Sequence, residues 1–162
     1  MEGSELTHVT ADGRVRMVDV GEKAVTERSA KAEGYVRVSA ALAEKMRAGG
    51  LTKGSVTEVA RLAGILAAKR TDELIPLCHT LPLDAVEIDV VLEGERVRVT
   101  ATVRTRSRTG VEMEALTAVS VACLTVVDMG KAVDRGMVIE GIRVLEKHGG
   151  RSGSYVAEGG AR

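Results

Sequence analysis

Asn, Gln, Phe and Trp are absent from the 162 residues, and Tyr35 and Tyr155 are the only aromatic side chains. A chain so poor in aromatics has no stacking platform for single-stranded nucleic acid. It also has no excess of positive charge. Lys plus Arg and Asp plus Glu each number 23, so the net charge is zero, which argues against a general nucleic-acid binder. Two cysteines, Cys78 and Cys123, do not make a disulfide framework, and a reducing, cytoplasmic compartment is expected. The first residues carry Glu2 and Glu5 and no apolar run, so no signal peptide is expected. The longest stretch without charge, residues 115–127, has 13 residues. A membrane span needs about 20, so no membrane partner is expected. Missing amides together with many Arg fit a heat-tolerant source, and a biased genome composition accounts for them nearly as well.

What is present suffices for one domain over residues 1–162. Apolar residues make up 44% of the chain, and no repeat or second domain is visible. "HVTADGRVRMVDV" predicts a strand after a turn at Asp12-Gly13. Residues 21–34, "GEKAVTERSAKAEG", are polar and mixed in charge, and predict a mobile loop exposing Lys23, Arg28 and Lys31. "YVRVS" is a short strand, after which Ser39 caps a helix to about Arg47, stopped by Gly49-Gly50. Ser55-Val56-Thr57-Glu58 has capping-box spacing, and Val59, Leu62, Ala63 and Leu66 continue a helix ending at Lys69-Arg70. A hairpin follows, with Val86, Ile88, Val90 and Leu92 on one face and Val97, Val99, Ala101 and Val103 on the same face of its return strand. A two-residue Gly94-Glu95 turn sets Leu92 against Val97 and Val90 against Val99.

A third helix opens at Thr109-Gly110-Val111-Glu112, again with capping-box spacing, and runs to about Val133. It is apolar nearly all round between Glu114 and Asp128, which predicts burial on every side and, in so small a domain, against another subunit. "GMVIEGIRVLEKHG" supplies a last strand, and residues 149–162 form a loose, glycine-rich tail. This order predicts an α+β fold, a ferredoxin-like antiparallel sheet with helices packed on one face.

Several residues are candidates for chemistry. "IPLCHTLPL" holds both prolines of the chain around Cys78-His79. A metal site there lacks the usual spaced ligand pairs. A Cys-His nucleophile pair would require neighbouring side chains to face each other. A buried thiol beside a satisfied histidine is the plain alternative. The prolines favour a rigid loop that presents polar groups to a ligand. Lys53 is either a solvated lysine or a cation beside a helix N-terminus suited to phosphate. Lys69 suits a helix C-terminus whatever else it does. Glu112 has a structural role as capping-box partner of Thr109, whereas Glu114 borders a core and needs a partner. Asp128 and Lys131 share one helix face and form either a surface ion pair or a functional one. Glu112 and Asp128 are 16 residues apart, or ~24 Å along one helix. If both ends matter, two antiparallel copies of the helix share the site across a two-fold axis.

"LTHV…MVDV", "AAKRT…LIPLCH", "TGVEMEALTA" and "DMGKAV", in this order over residues 6–155, together resemble the cyclic pyranopterin monophosphate synthase family of molybdenum cofactor biosynthesis. The resemblance implies a homo-hexamer, built as a trimer of dimers, with active sites at the dimer interface. The implied substrate is a small molecule, the cyclic 3′,8 adduct of dihydro-GTP. The implied reaction converts it by acid/base catalysis to cyclic pyranopterin monophosphate and releases pyrophosphate. Asp128, Lys131 and Lys53 match the family's catalytic residues. Leu77, Cys78 and His79 match a substrate-contact loop, and Met113 and Glu114 a second contact. Glu112, Lys69, Arg28 and Lys23 match polar positions around the pocket. The family often has Lys where Arg108 and Arg151 stand here, so the charge is kept but not a titratable amine. No cofactor or metal site is implied, and Mg²⁺ is compatible only as counter-ion of the triphosphate. The alternative of another class is a non-catalytic nucleotide-binding oligomer using the same cations; a purely structural assembly module is the third reading.

Overall fold

The structure, a computed structural model, describes residues 8–49 and 54–158. Five strands form one sheet: β1 (Thr26–Arg37), β2 (Ala85–Glu93), β3 (Arg96–Ser107), β4 (Val138–His148) and β5 (Tyr155–Val156). Their order is β2-β3-β1-β4-β5, and every neighbouring pair is antiparallel. Four helices, α1 (Ala40–Arg47), α2 (Val56–Ala68), α3 (Thr71–Leu74) and α4 (Glu112–Gly130), pack on one face. The connection from β1 to β2 passes over β3, and that from β3 to β4 passes over β1. These two split crossovers are the ferredoxin-like arrangement.

The hairpin register is as the alternation predicts. Leu92 pairs with Val97 and Val90 with Val99. Gly94 sits at φ +63°, the conformation its two-residue turn requires. Ser39 Oγ accepts from the Leu42 amide at 3.3 Å to start α1. Ser55 Oγ accepts from the Glu58 amide at 3.3 Å to start α2. The Glu58 carboxylate completes no box; it pairs with Arg61 at 3.4 Å.

Four expectations are corrected. Residues 26–34 are not loop: they form most of β1, the strand between β3 and β4. Ala30, Ala32, Gly34 and Val36 face inward there, and Arg28 and Lys31 are half-buried rather than exposed. The strand expected around Met17 reduces to one bridge, Val9 to Val15. No side chain caps α4, because Ser107 Oγ accepts from the Thr109 amide at 3.2 Å and donates to the Thr109 carbonyl at 2.7 Å. The tail is docked in part, Tyr155 pairing with Lys147 and Val156 with Glu146.

The core is built from small residues. Val97, Val99, Ala101 and Val103 of β3 meet Ala115, Ala118, Val119, Ala122 and Val126 of α4, all fully buried. With so little bulk between them, backbones approach closely. A Cβ on Gly64 of α2 would stand 3.1 Å from the Ala118 carbonyl of α4. One on Gly34 would stand 2.6 Å from Val119 Cγ1 and 2.9 Å from Ile142 Cγ1. α4, with a mean hydropathy of 1.5, is long and apolar enough to cross a membrane, but more than half of it is buried inside the protein, as in a core helix. Burial on every side is not met within one protomer. Leu124 is exposed on α4, and Val59, Leu62 and Leu66 are exposed on α2.

Gly34→Ala should therefore destabilise the fold by about 1–3 kcal/mol through overpacking. Urea unfolding measures it. Unchanged stability would mean that α4 and β4 yield without cost at this contact.

Candidate functional site

The first turn of α4 faces two different surroundings. On one side, the start of β1, the end of β3, the end of β4 and the tail enclose a cavity of about 310 Å³. Lys23, Arg28, Arg108, Lys147 and Arg151 line it, with His148 and Glu112. Five cations around one carboxylate make a strongly positive pocket in a neutral protein. Two of the cations, Arg28 and Arg108, are held by backbone carbonyls. Arg28 Nε donates to the Ser107 carbonyl at 3.3 Å and Nη2 to the Arg108 carbonyl at 3.1 Å. Arg108 Nε donates to the Lys23 carbonyl at 3.2 Å. Lys147 Nζ donates to Ser152 Oγ, and His148 Nδ1 lies 3.0 Å from Ser154 Oγ. Gly150, at φ +78°, lets the tail cross directly over Arg28: a Cβ there would stand 2.0 Å from Nη1. Glu112 folds back over Gly110, whose Cβ would stand 2.0 Å from Oε2. Capping nothing, its carboxylate is left to line the cavity, a correction to the capping role that spacing predicts.

On the other side lie the residues of the proline-flanked loop. The Cys78 amide donates to the Ile75 carbonyl at 3.1 Å, Thr80 Oγ1 donates to Asp72 Oδ2, and Thr105 Oγ1 donates to the Pro82 carbonyl. Leu77, Cys78 and His79 are half-buried in this loop. Burial pushes the Cys78 thiol up, and the charges of Glu114 and Asp72 push it further. A raised pKa disfavours the thiolate, the form in which a cysteine is nucleophilic. Glu114 is only 4% exposed. Burial pushes its carboxyl up to about 7; its own backbone amide opposes this, and the charges of Glu112 and Asp72 add to it. Met113, between the two carboxylates, is partly exposed.

The remaining predicted residues lie elsewhere. Lys131 Nζ donates to Asp128 Oδ1 at 2.6 Å at the far end of α4, both side chains about 60% exposed. α4 is one continuous helix of 19 residues, so this pair stands ~24 Å from Glu112. A separate groove of about 450 Å³ lies beside Lys131, lined by Asp134, Arg135 and Met137. Asp134 ties that end down: its Oδ2 accepts from the Ser39 amide at 2.6 Å, which holds the carboxyl below its ordinary range. Lys69 follows α2 as its C-cap, exposed, and does not line the cationic cavity. Lys53 lies outside the described residues. Thus Lys23, Arg28 and Glu112 come together, and so do Cys78 and Glu114. Asp128 and Lys131 join neither group within one protomer.

Lys147 and His148 are site residues that sequence reasoning missed. Nothing in their spacing marks them; they reach the cavity because β4 runs beside β1. Among the described residues, no group of three or more His, Cys, Asp or Glu side chains could hold a metal ion.

Glu114 makes stability depend on pH. Its carboxyl has an ordinary value of 4.5, raised to about 7 by folding. Below 4.5 it is protonated in both states and costs nothing. Between the two values only the unfolded chain ionises, so stability falls as pH rises, by about 3 kcal/mol in all. Glu114→Gln should remove this slope and leave the variant more stable than the parent at pH 8, seen by denaturant midpoints across pH. An unchanged slope would assign the titration to another group.

The MoaC family model matches residues 17–150. A cyclic pyranopterin monophosphate synthase from Methylobacterium sp. (strain 4-46) is 58% identical, the match covering 96% of this chain and 98% of that protein. Its namesake from Novosphingobium aromaticivorans is 54% identical over 95% of this chain and 98% of its own length. That from Streptomyces coelicolor is 55% identical over 93% and 88%. Among solved structures, an aminobenzoyl-glutamate utilization protein from Klebsiella pneumoniae aligns at a TM-score of 0.25 and 15% identity, over 81% of this chain and 29% of that one, and carries no argument. Over nearly its whole length, the chain belongs to the MoaC family.

Proposed function

We propose that this chain is a cyclic pyranopterin monophosphate synthase, a lyase of molybdenum cofactor biosynthesis. Its substrate is the cyclic 3′,8 adduct of dihydro-GTP, and it releases pyrophosphate. The observation that carries the reading is the cavity of about 310 Å³ at the start of α4, where five cations meet. A triphosphate needs such a cluster, and a neutral protein offers it only where charge is gathered on purpose. Lys23, Arg28, Arg108, Lys147 and Arg151 hold the phosphates. Leu77, Cys78 and His79, with Met113 and Glu114, hold the purine-derived part, and Lys69, which does not line the cavity of one protomer, adds a cation to the shared site.

Closing the cyclic phosphate forms one P–O bond and breaks the bond to pyrophosphate, and the cations stabilise the charge that grows on the leaving group. Rearranging the purine-derived ring needs proton transfers. Asp128 and Lys131, hydrogen-bonded at 2.6 Å, divide base and acid roles. Lys53 acts as acid or steadies the phosphates. The chemistry needs no resident cofactor, and Mg²⁺ would serve as counter-ion of the triphosphate. One protomer cannot supply both ends of α4 to one substrate. Two copies with antiparallel α4 helices do so, covering Leu124, and three such dimers make a hexamer. The compartment is the cytoplasm, where the two thiols stay reduced.

Asp128→Ala and Lys53→Ala should each abolish single-turnover pyrophosphate release while the assembly persists. A protein that binds the triphosphate and releases nothing would instead be the nucleotide-binding oligomer. Mixing Arg28→Ala with Asp128→Ala subunits should restore about a quarter of the activity, since half the random dimers carry one intact site of two. Mixtures as inactive as their parents would exclude a shared site.

A further inference from the structure

The loop of Leu77, Cys78 and His79 does not stand on its own prolines alone. It is closed back onto α3 from both of its ends. The Cys78 amide donates to the Ile75 carbonyl at 3.1 Å, and Ile75 itself caps α3, its amide donating to the Thr71 carbonyl at 2.8 Å. Beyond His79, Thr80 Oγ1 donates to Asp72 Oδ2. Thr71 is in turn buried against the end of α2, its Oγ1 donating to the Ala68 carbonyl at 3.0 Å. Asp72 therefore stands on a fixed base and holds the far end of the loop.

We propose that Asp72 is a positioning residue of the site: through Thr80 it closes the Leu77–His79 loop onto α3, and its carboxylate adds to the negative charge around Cys78 and Glu114.

The second half of the assignment follows from what faces these groups. The charges of Glu114 on α4 and of Asp72 on α3 add to burial in pushing the Cys78 thiol up. The charges of Glu112 on the same helix and of Asp72 on α3 add to burial in pushing the Glu114 carboxyl up. One carboxylate is thus common to both titrations and also accepts a hydrogen bond from the loop that carries Cys78. A like charge at short range disfavours ionisation of its neighbours. Removing it while keeping the shape of the side chain should release both neighbours in the same direction, toward lower pH.

The proposal rests on the reading of this loop and Glu114 as substrate contacts, so its test has a readout that needs no turnover. The assembled protein is treated with iodoacetamide over a range of pH, and adducts are counted by mass spectrometry. Cys123 does not compete, being fully buried with its thiol pushed up to about 12. Asp72→Asn should move the midpoint of Cys78 alkylation to lower pH and speed amide exchange at Cys78 and His79. Thr80→Val, which keeps the carboxylate, should speed the same exchange with a smaller shift of the midpoint. In pyrophosphate release, both variants should raise KM about threefold to tenfold with a smaller fall in kcat, as expected for a displaced contact. A midpoint unmoved in Asp72→Asn, or exchange in Thr80→Val equal to that of the parent, would overturn the assignment. If Asp72→Asn does not fold, exchange in Thr80→Val decides alone. If midpoint and exchange move as described but even the parent releases no pyrophosphate, the role of Asp72 stands and the proposed reaction falls.

Discussion

The close seat of α4 is the constraint on which the rest depends. Small residues line both sides of its contacts: Gly34 and Ala32 on β1, Gly64 on α2, Ala118 and Ala122 on the helix itself. Close packing leaves no room for the helix to slide or turn without collision. Its register is therefore fixed, and with it the direction in which each terminal side chain leaves. The first turn sends Glu112 into the cationic cavity and Glu114 toward Cys78, and the last turn presents Asp128 and Lys131 together. A core without large aromatics is thus not a poor core here. It is a means of holding a rod by its backbone.

The same turn separates two electrostatic worlds. Two residues apart, Glu112 lies among Lys23, Arg28, Arg108, Lys147 and Arg151, while Glu114 is buried near Asp72 and Cys78. The first surroundings are mostly positive; in the second, burial and like charges push the Glu114 carboxyl up to about 7. Two neighbouring acids of one type thereby stand in opposite electrostatic surroundings at a single helix end.

Much of this was legible in the sequence. The hairpin could be read to the residue pair, because both strands alternate cleanly and a two-residue turn at Gly94-Glu95 aligns their apolar faces. The starts of α1 and α2 were marked by Ser39 and Ser55. β1 was misread because its inward residues are Ala30, Ala32 and Gly34, which carry little hydrophobic signal. They are small for the sake of α4, a reason visible only once the helix is in place. The capping box at Thr109 was misread because Ser107 satisfies Thr109 first. In the site, motif resemblance pointed to Lys23, Arg28 and Glu112, while Lys147 and His148 carried no local pattern. Their part in the cavity is a property of strand order, which no short window of sequence contains.

The sheet ends in two unlike strands. β2, on one margin, carries Glu87, Asp89 and Glu93 on its exposed positions, and β5, on the other, is only two residues long. A template for further strands needs length and neutral surface, and neither margin has both. The β2 carboxylates are each paired, Glu87 with Arg104, Asp89 with Arg61 and Glu93 with Arg98, so that margin is charged and occupied, while the β5 margin is closed by brevity. An incoming strand would have to break ordered ion pairs at one margin and would find only two residues at the other, so open-ended growth of the sheet meets a cost at both.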